Sequence, residues 1–319
     1  MRAVVHDRYG PPDVLRIEEV PTPAPAAGQV LVRVAATSLN LSDWETLIGS
    51  PAYSRIGGLR SPRVPVLGSD IAGWVEALGE GVTAFAPGDE VYGDNLRLKG
   101  GFADYAVAPV SALAPKPEGL TFAEASVIPQ AGPIGLQGTA TVRPGSRVLV
   151  NGAGGGAGSF AVQLAKRRGA HVTAVDNAHK LDFMRSLGAD AVIDHRSDDF
   201  TRTDRPYDLV LDLIAYRSML AYRRAVARGG RYRCVGGTTR ALLRAITVGV
   251  VAGRVTGRRM GVLLVKPGPE HFTPLADLVL AGEVAIHIDR TYDLEDTAAA
   301  LAHVGEGRAL GKVVVTTGA

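Results

Sequence analysis

Cysteine is almost missing from this chain: Cys234 is the only one in 319 residues. One thiol builds neither a disulfide framework nor a multi-cysteine zinc site, and so sparing a use suits a reducing compartment. Met1 to Asp7 has no apolar core for a signal peptide, so a cytoplasmic location is expected. No apolar run reaches the length of a membrane span; the nearest, Ala241 to Val255, is broken by Arg244 and Arg254. Net charge is only +3, too little to imply a nucleic-acid partner. Acidic residues are absent between Asp212 and Glu270, a span that carries Arg217, Arg223, Arg224, Arg240, Arg244, Arg254, Arg258, Arg259 and Lys266 among its basic residues. Two readings stand: an anion-binding face, for phosphates or an acidic membrane surface, and a solvated basic face. The second is preferred, because no dense block of like charge occurs.

Glycine and apolar residues are plentiful. A chain that is 46% hydrophobic and 21% charged folds, and its length suits two domains, each with its own core. The most informative stretch runs from Val148 to Gly158. Val148-Leu149-Val150 reads as a strand, and it leads into Gly152, Gly154, Gly155, Gly156 and Gly158. Ser159 to Arg168 then reads as a helix. Glycine lets the backbone turn sharply and approach a ligand with no Cβ in the way. A helix N-terminus presents unpaired N–H groups and a partial positive charge, which suit a pyrophosphate. A second apolar strand, His171 to Val175, ends at Asp176, placed to accept hydrogen bonds from an adenosine ribose. The plainer alternative makes Asp176 the N-cap of the next helical turn.

Organisation changes along the chain. Arg2 to Pro115 is β-rich, with short apolar strands at 30–36, 71–78 and 89–93 cut by Gly and Pro. From Thr121 onward strand and helix alternate, which implies a parallel sheet with helices on both faces. Strands are expected at 148–151, 171–175, 191–194, 207–213, 230–235 and 261–265, and helices at 159–168, 180–187, 218–227 and 238–251. A helix at 270–281, a strand near 286–288, a helix at 294–304 and a strand at 312–316 close the chain. The stretch 241–255 is apolar on most sides. A buried core helix is its first reading; a substrate mouth, a subunit interface and a membrane contact are the others.

Taken together, these residues resemble the zinc-independent medium-chain dehydrogenase/reductases, of the quinone oxidoreductase (zeta-crystallin-like) branch. The resemblance covers almost the whole chain. It rests on Ser38-Leu39-Asn40-Leu41-Ser42-Asp43-Trp44, Pro65 to Gly73, Gly88-Asp89-Glu90-Val91, Gly101 to Tyr105, Gly152 to Lys166, Arg185 to Asp190, Val235-Gly236-Gly237 and Gly311 to Val315. The implied fold class is α/β, a GroES-like β-barrel domain plus a Rossmann doubly wound parallel sheet. The first domain would hold residues 1–118 and 268–319 and the second 119–267, with the active site in a cleft between them. A homodimer through the Rossmann sheet edge is also implied.

Three departures from the family pattern stand out. Zinc-dependent relatives place Cys and His ligands near positions 40 and 68 to 70, where this chain has Asn40, Gly68, Ser69 and Asp70, so no metal is expected. NADPH-preferring relatives carry small polar and basic residues where Asp176 stands, so NADH is favoured slightly over NADPH; Lys180 or Arg196 can still reach a phosphate. Ile134 stands where relatives often have a threonine.

The cofactor set implied is Gly152, Ala153, Gly154, Gly155, Gly156, Ala157 and Gly158 in the turn, Asp176 and Lys180 after the second strand, and His195 beside the adenosine. Leu213 would line the nicotinamide ribose, and Val235, Gly236 and Gly237 would meet the carboxamide. In the first domain Asn40 is the leading catalytic candidate, as a hydrogen-bond donor. Asp43 is next, with helix capping as its alternative, followed by Tyr53, with simple packing as its alternative. Lys312 reads as structural or cofactor-adjacent. The expected activity is an NAD(P)H-dependent reductase of a small quinone or α,β-unsaturated carbonyl, working without zinc. The alternatives are a zinc-free enoyl or alkenal reductase or alcohol dehydrogenase-like enzyme of a biosynthetic pathway, and a non-catalytic dinucleotide-binding redox sensor.

Overall fold

Val148, Leu149 and Val150 follow one another and are all fully buried, the pattern of a strand covered on both faces. The computed structural model of the protein describes residues 1–56 and 58–318, and this strand lies at the centre of the second of two compact units. That unit comprises Pro133–Val265 with Glu283–Ala285; the first comprises Met1–Gly132, Lys266–Gly282 and Ile286–Ala319.

In the second unit six parallel strands run Ala191–Asp194, His171–Asp176, Arg147–Asn151, Tyr207–Asp212, Val226–Cys234 and Arg259–Val262 across the sheet. Numbered along the chain within the unit, that order is 3-2-1-4-5-6, the doubly wound arrangement. It reverses between Arg147–Asn151 and Tyr207–Asp212, and ligands of such sheets bind outside the strand ends at this switch point. Two apolar clusters cover the faces, one around Val148, Val150, Val162 and Leu211, the other around Leu149, Val210, Tyr222 and Tyr232.

In the first unit the strands Ile288–Asp293, Lys312–Thr316, Gln29–Ser38, Asp70–Leu78, Glu90–Asp94 and Leu113–Pro115 lie side by side, and Tyr105–Pro109 pairs with Gln29–Ser38. Most neighbours are antiparallel. Val30, Val32 and Val34 point into one core with Ile71, Val75 and Val91. Register shifts between Gln29–Ser38 and Asp70–Leu78 bend the sheet, as bulges do. A second core, around Leu47, Phe102, Leu301 and Val313, joins the helices Leu41–Ile48 and Thr297–Gly305 to the sheet.

Residues 119–132 belong to the first unit. Thr121 and Glu124 cap the Phe122–Ser126 helix reciprocally, and the Phe122 ring meets Trp74 edge-on at 4.4 Å. Alternation alone marks where the rhythm changes, not which core a short helix joins. The stretch 239–255 is helical to Val255, four residues further than its pattern indicated, with a π turn at Ala245–Gly249.

Candidate functional site

The turn after Arg147–Asn151 is built from glycines, and at Gly152, Gly154 and Gly158 a side chain does not fit. Gly152 has φ +83°, where side chains are strained. A Cβ on Gly158 would stand 2.1 Å from the Gly152 carbonyl oxygen. A Cβ on Gly154 would stand 2.6 Å from Lys180 Cδ and 3.2 Å from Asp176 Oδ2. Gly155 is the N-cap of the Gly156–Arg167 helix, so the N–H groups of Gly156, Ala157 and Gly158 have no partner within the helix. A tight glycine turn closed against side chains at Gly152, Gly154 and Gly158, ending on a helix N-terminus at the switch point, fits a dinucleotide pyrophosphate.

Asp176 ends the second strand and is buried. Its Oδ2 accepts from the Gly154 N–H at 2.9 Å and its Oδ1 from the Asn177 N–H at 2.8 Å. Lys180 Nζ lies 3.6 Å from Oδ1 and is itself buried. The carboxylate thus ties the glycine turn to the second strand and answers the lysine. His195 Nε2 is 2.9 Å from Asn177 Oδ1, and its Nδ1 is 3.5 Å from the Tyr216 hydroxyl. The His195 and Tyr216 rings meet edge-on, and Tyr216 is 42% exposed. Tyr216 escaped the sequence reading; its only signal was its place just beyond the end of the fourth strand.

Leu213, Val235, Gly236 and Gly237 gather at neighbouring strand ends. Leu213 N–H donates to Asn151, Val235 N–H to Asp212, and Ala215 N–H to Gly236. Below them Asp212 is fully buried. It accepts from Asn151 Nδ2 at 2.7 Å and from the Tyr232 hydroxyl at 2.9 Å. Burial pushes its carboxyl above the usual range, and bonds from Tyr222, Asn151 and Tyr232 pull it back. A cavity of about 650 Å³ lined by Arg143, Ser146, Asp208 and Arg231 lies at the opposite, N-terminal end of these strands; it is not part of this site.

In the first unit Asn40 sits inside a buried polar cluster. Its Nδ2 donates to Asp70 Oδ2 at 2.9 Å and, at 3.4 Å, to Ser69 Oγ. Its Oδ1 accepts from Lys312 Nζ at 2.7 Å. Lys312 Nζ also donates to the Leu39 carbonyl at 3.1 Å and lies 3.4 Å from Asp70 Oδ2. Asp70 further accepts from Ser38 Oγ and from the Gln130 N–H. Burial drives the Asp70 carboxyl up and the Lys312 ammonium down, and each charge opposes the other's shift. Asp43 is fully buried and caps the Leu41–Ile48 helix: its Oδ2 accepts from the Asn40 N–H at 3.0 Å, and Lys99 Nζ lies 3.7 Å from its Oδ1. Tyr53 is apart from these: its hydroxyl donates to Glu45 Oε2 at 2.9 Å, and its short helix is Ala52–Arg55.

Asp94, Gln130 and Lys99 join this cluster and were not foreseen. Asp94 pairs with Asp70 across adjacent strands, and its Oδ1 is buried without a hydrogen-bond partner. Burial, with Asp70 and Asp43 nearby, pushes its pKa up to about 7. The folded chain therefore holds a proton there that the unfolded chain releases near pH 4. Stability falls as pH rises between those values and stays low above the upper one. Asp94→Asn is expected to raise stability at pH 8 by about 2 kcal/mol or more, and to change it little at pH 4. Urea unfolding at the two pH values, followed by the fluorescence of Trp44 and Trp74, checks this; an equal effect at both would contradict it.

No group of three or more His, Cys, Asp or Glu side chains placed to hold a metal ion occurs among the described residues. In the place of zinc ligands, the one carboxylate, Asp70, is already answered by the Lys312 ammonium.

A doubly wound dinucleotide sheet joined to a largely antiparallel β unit defines a dehydrogenase/reductase of the medium-chain class. The zinc-binding dehydrogenase family matches residues 187–315, and the alcohol dehydrogenase GroES-like domain matches residues 26–118. The chain is 32% identical to a chloroplastic quinone-oxidoreductase of Triphysaria versicolor, covering 99% of this chain and 98% of that one. It is 30% identical to 2-methylene-furan-3-one reductase of Solanum lycopersicum, over 99% and 79% of the two chains. A solved quinone oxidoreductase of Coxiella burnetii superposes with a TM-score of 0.89 at 30% identity, over 99% of each chain. The chain belongs to the quinone oxidoreductase branch of the medium-chain dehydrogenases/reductases.

Proposed function

We propose that this protein is an NAD(P)H-dependent reductase of quinones or α,β-unsaturated carbonyls that works without a metal ion. The observation that carries the reading is the glycine turn at the switch point, where the Gly158 site leaves 2.1 Å between a Cβ and the Gly152 carbonyl. When bound, the dinucleotide supplies a hydride to the acceptor. The chain's own residues hold and orient it. The N–H groups of 156–158 receive the pyrophosphate, Asp176 meets the adenosine ribose, and His195 and Tyr216 flank the adenine. Leu213 and Val235–Gly237 take the nicotinamide end.

Asn40 is the donor proposed for the developing oxyanion, through the Nδ2 hydrogen that otherwise makes only the long 3.4 Å bond to Ser69 Oγ. Lys312 and Asp70 fix its amide from both ends. Asp94 keeps a proton in the same cluster near neutral pH. Asp43 supports this donor from the adjoining helix, through the bond from the Asn40 N–H to its Oδ2; Tyr53 is bonded to Glu45 instead. Reduction of a conjugated carbonyl needs hydride, proton and oxyanion stabilisation, and a Lewis-acid metal is dispensable.

Asp176 favours NADH, because a buried carboxylate beside the ribose repels a 2′-phosphate. Asp176→Asn keeps an acceptor for the Gly154 N–H and frees Lys180. Its NADPH affinity is expected to rise about tenfold or more. Fluorescence titration with both cofactors checks this, and an unchanged NADPH affinity would contradict it. Catalysis itself is tested by stopped-flow oxidation of NADH with a panel of small quinones and enones. Turnover with at least one supports the reductase reading; cofactor binding with no turnover on any leaves a redox-sensing binding protein.

A further inference from the structure

The N-terminal end of the parallel strands, opposite the glycine turn, carries more arginines than the fold uses. Three of them answer backbone carbonyls there. Arg168 Nη1 donates to the Thr139 carbonyl at 2.6 Å, Arg147 Nη2 to that of Arg205 at 3.1 Å and Arg258 Nε to that of Val226 at 2.8 Å. Helix ends leave carbonyls that need such donors. Arg143, Arg231, Arg233 and Arg259 differ. Among the described residues their guanidinium groups form no ion pair and no hydrogen bond.

Their placement works against the fold. Arg231 stands directly across from Arg259 on the neighbouring strand, and Arg233, two residues on, shares that face of the sheet. Like charges opposed across strands repel. Burial lowers the Arg231 guanidinium from its usual value, and the charges of Arg259, Arg233 and Arg143 lower it further, with no carboxylate to offset them.

The cavity of about 650 Å³ opens at this cluster, and Arg143 and Arg231 line it. That volume suits a small molecule. Ser146 Oγ accepts from the Arg143 N–H at 3.1 Å, which leaves its own hydrogen for a ligand. Asp208 Oδ2 accepts from the Arg147 N–H at 2.8 Å, and among the described residues its Oδ1 has no hydrogen-bond partner. Two arginine forks match a phosphate. A carboxylate repels phosphate but accepts hydroxyl hydrogens, so the lining asks for both groups on one molecule. The edge strand Arg259–Val262 contributes no lining residue, so the cavity is compatible with a homodimer through that edge.

We propose that this cavity binds a phosphorylated sugar, free or as part of a nucleotide, with its phosphate between Arg143 and Arg231 and its hydroxyls on Asp208. Ser146 donates to the phosphate. The site lies at the other end of the strands from the dinucleotide cradle. It does not depend on the reductase reading, and its test uses no turnover.

Calorimetric titration of the full chain with ribose 5-phosphate, AMP and inorganic phosphate tests the proposal. Saturable binding of ribose 5-phosphate or AMP is expected, at least about tenfold tighter than inorganic phosphate. Tighter binding of AMP identifies a nucleotide site, and the reverse a free sugar phosphate. Arg143→Gln/Arg231→Gln should weaken binding on the order of a hundredfold. It should keep the wild-type NADH affinity and melt no lower than wild type, because a repulsion is relieved. Gly155→Ala, at the N-cap of the helix in the dinucleotide cradle, should leave sugar phosphate binding unchanged. No saturable binding of either probe would overturn the proposal, as would binding no tighter than that of inorganic phosphate. So would undiminished binding in Arg143→Gln/Arg231→Gln, or binding lost in Gly155→Ala, which would put the ligand in the cradle.

Discussion

Lys312→Met is expected to destabilise the first unit by about 3–5 kcal/mol. The ammonium it removes is fully enclosed. It answers Asp70 at 3.4 Å and donates to Asn40 Oδ1 and to the Leu39 carbonyl. Methionine fills a similar volume but leaves Asp70, with no exposed surface, as an unpaired charge. Deleting one partner of a buried pair costs far more than deleting both. Asp70→Asn/Lys312→Met is therefore expected to recover more than half of the loss, with the Asn40 and Leu39 acceptors still unfilled. Trp44 and Trp74 are the chain's two tryptophans, and both lie in this unit, so their fluorescence in urea reports its unfolding alone. A loss below about 1 kcal/mol, or a double variant no better than the single, would contradict the account of this cluster. The same variant should cripple turnover, because Asn40 loses the contact that fixes its amide.

Gly158→Ala is the second large effect. The added methyl would sit 2.1 Å from the Gly152 carbonyl oxygen and 2.6 Å from Ala153 Cα. Both are backbone atoms, which no rotamer change moves aside. The turn has to open, at a cost of about 3 kcal/mol or more to the second unit, and the pyrophosphate cradle opens with it. Dinucleotide affinity should fall on the order of a hundredfold. Gly155→Ala is the control, because its methyl would come no closer to the protein than 3.6 Å. It should leave stability within about 1 kcal/mol and weaken the dinucleotide alone, since Gly155 is the N-cap of the helix proposed to receive the phosphates. Hydrogen exchange of the Arg147–Asn151 amides reads the first effect and cofactor titration the second. Wild-type affinity in Gly158→Ala would contradict the cradle.

How much of this was legible in the sequence follows from the range of the interactions. Val148-Leu149-Val150, the glycines after it and Asp176 at the end of the next strand form one local pattern, and the structure joins them by the Gly154–Asp176 bond. A parallel sheet with helices on both faces followed from alternation of strand and helix; its doubly wound arrangement came with the family resemblance. The cluster around Asn40 did not. Asp70 and Lys312 are 242 residues apart, and only the Gln29–Ser38 strand, which pairs with both of their strands, brings them together. Asp94 lacks any motif; its raised pKa comes from burial first, and then from Asp70 and Asp43 on other elements. The stretch 241–255 was misjudged as a core helix for a definite reason. A run apolar on nearly every side carries no phase, and the small residues at every fourth position, the buried Ala241, Ala245, Gly249 and Gly253, not the large ones, decide which side faces the sheet.

Isothermal titration calorimetry of the purified chain with NADH and with NADPH tests the central claim most directly. Saturable binding of at least one of them, one molecule per chain and lost in Gly158→Ala, is the expected result. No binding of either, or binding that survives Gly158→Ala unchanged, would contradict it.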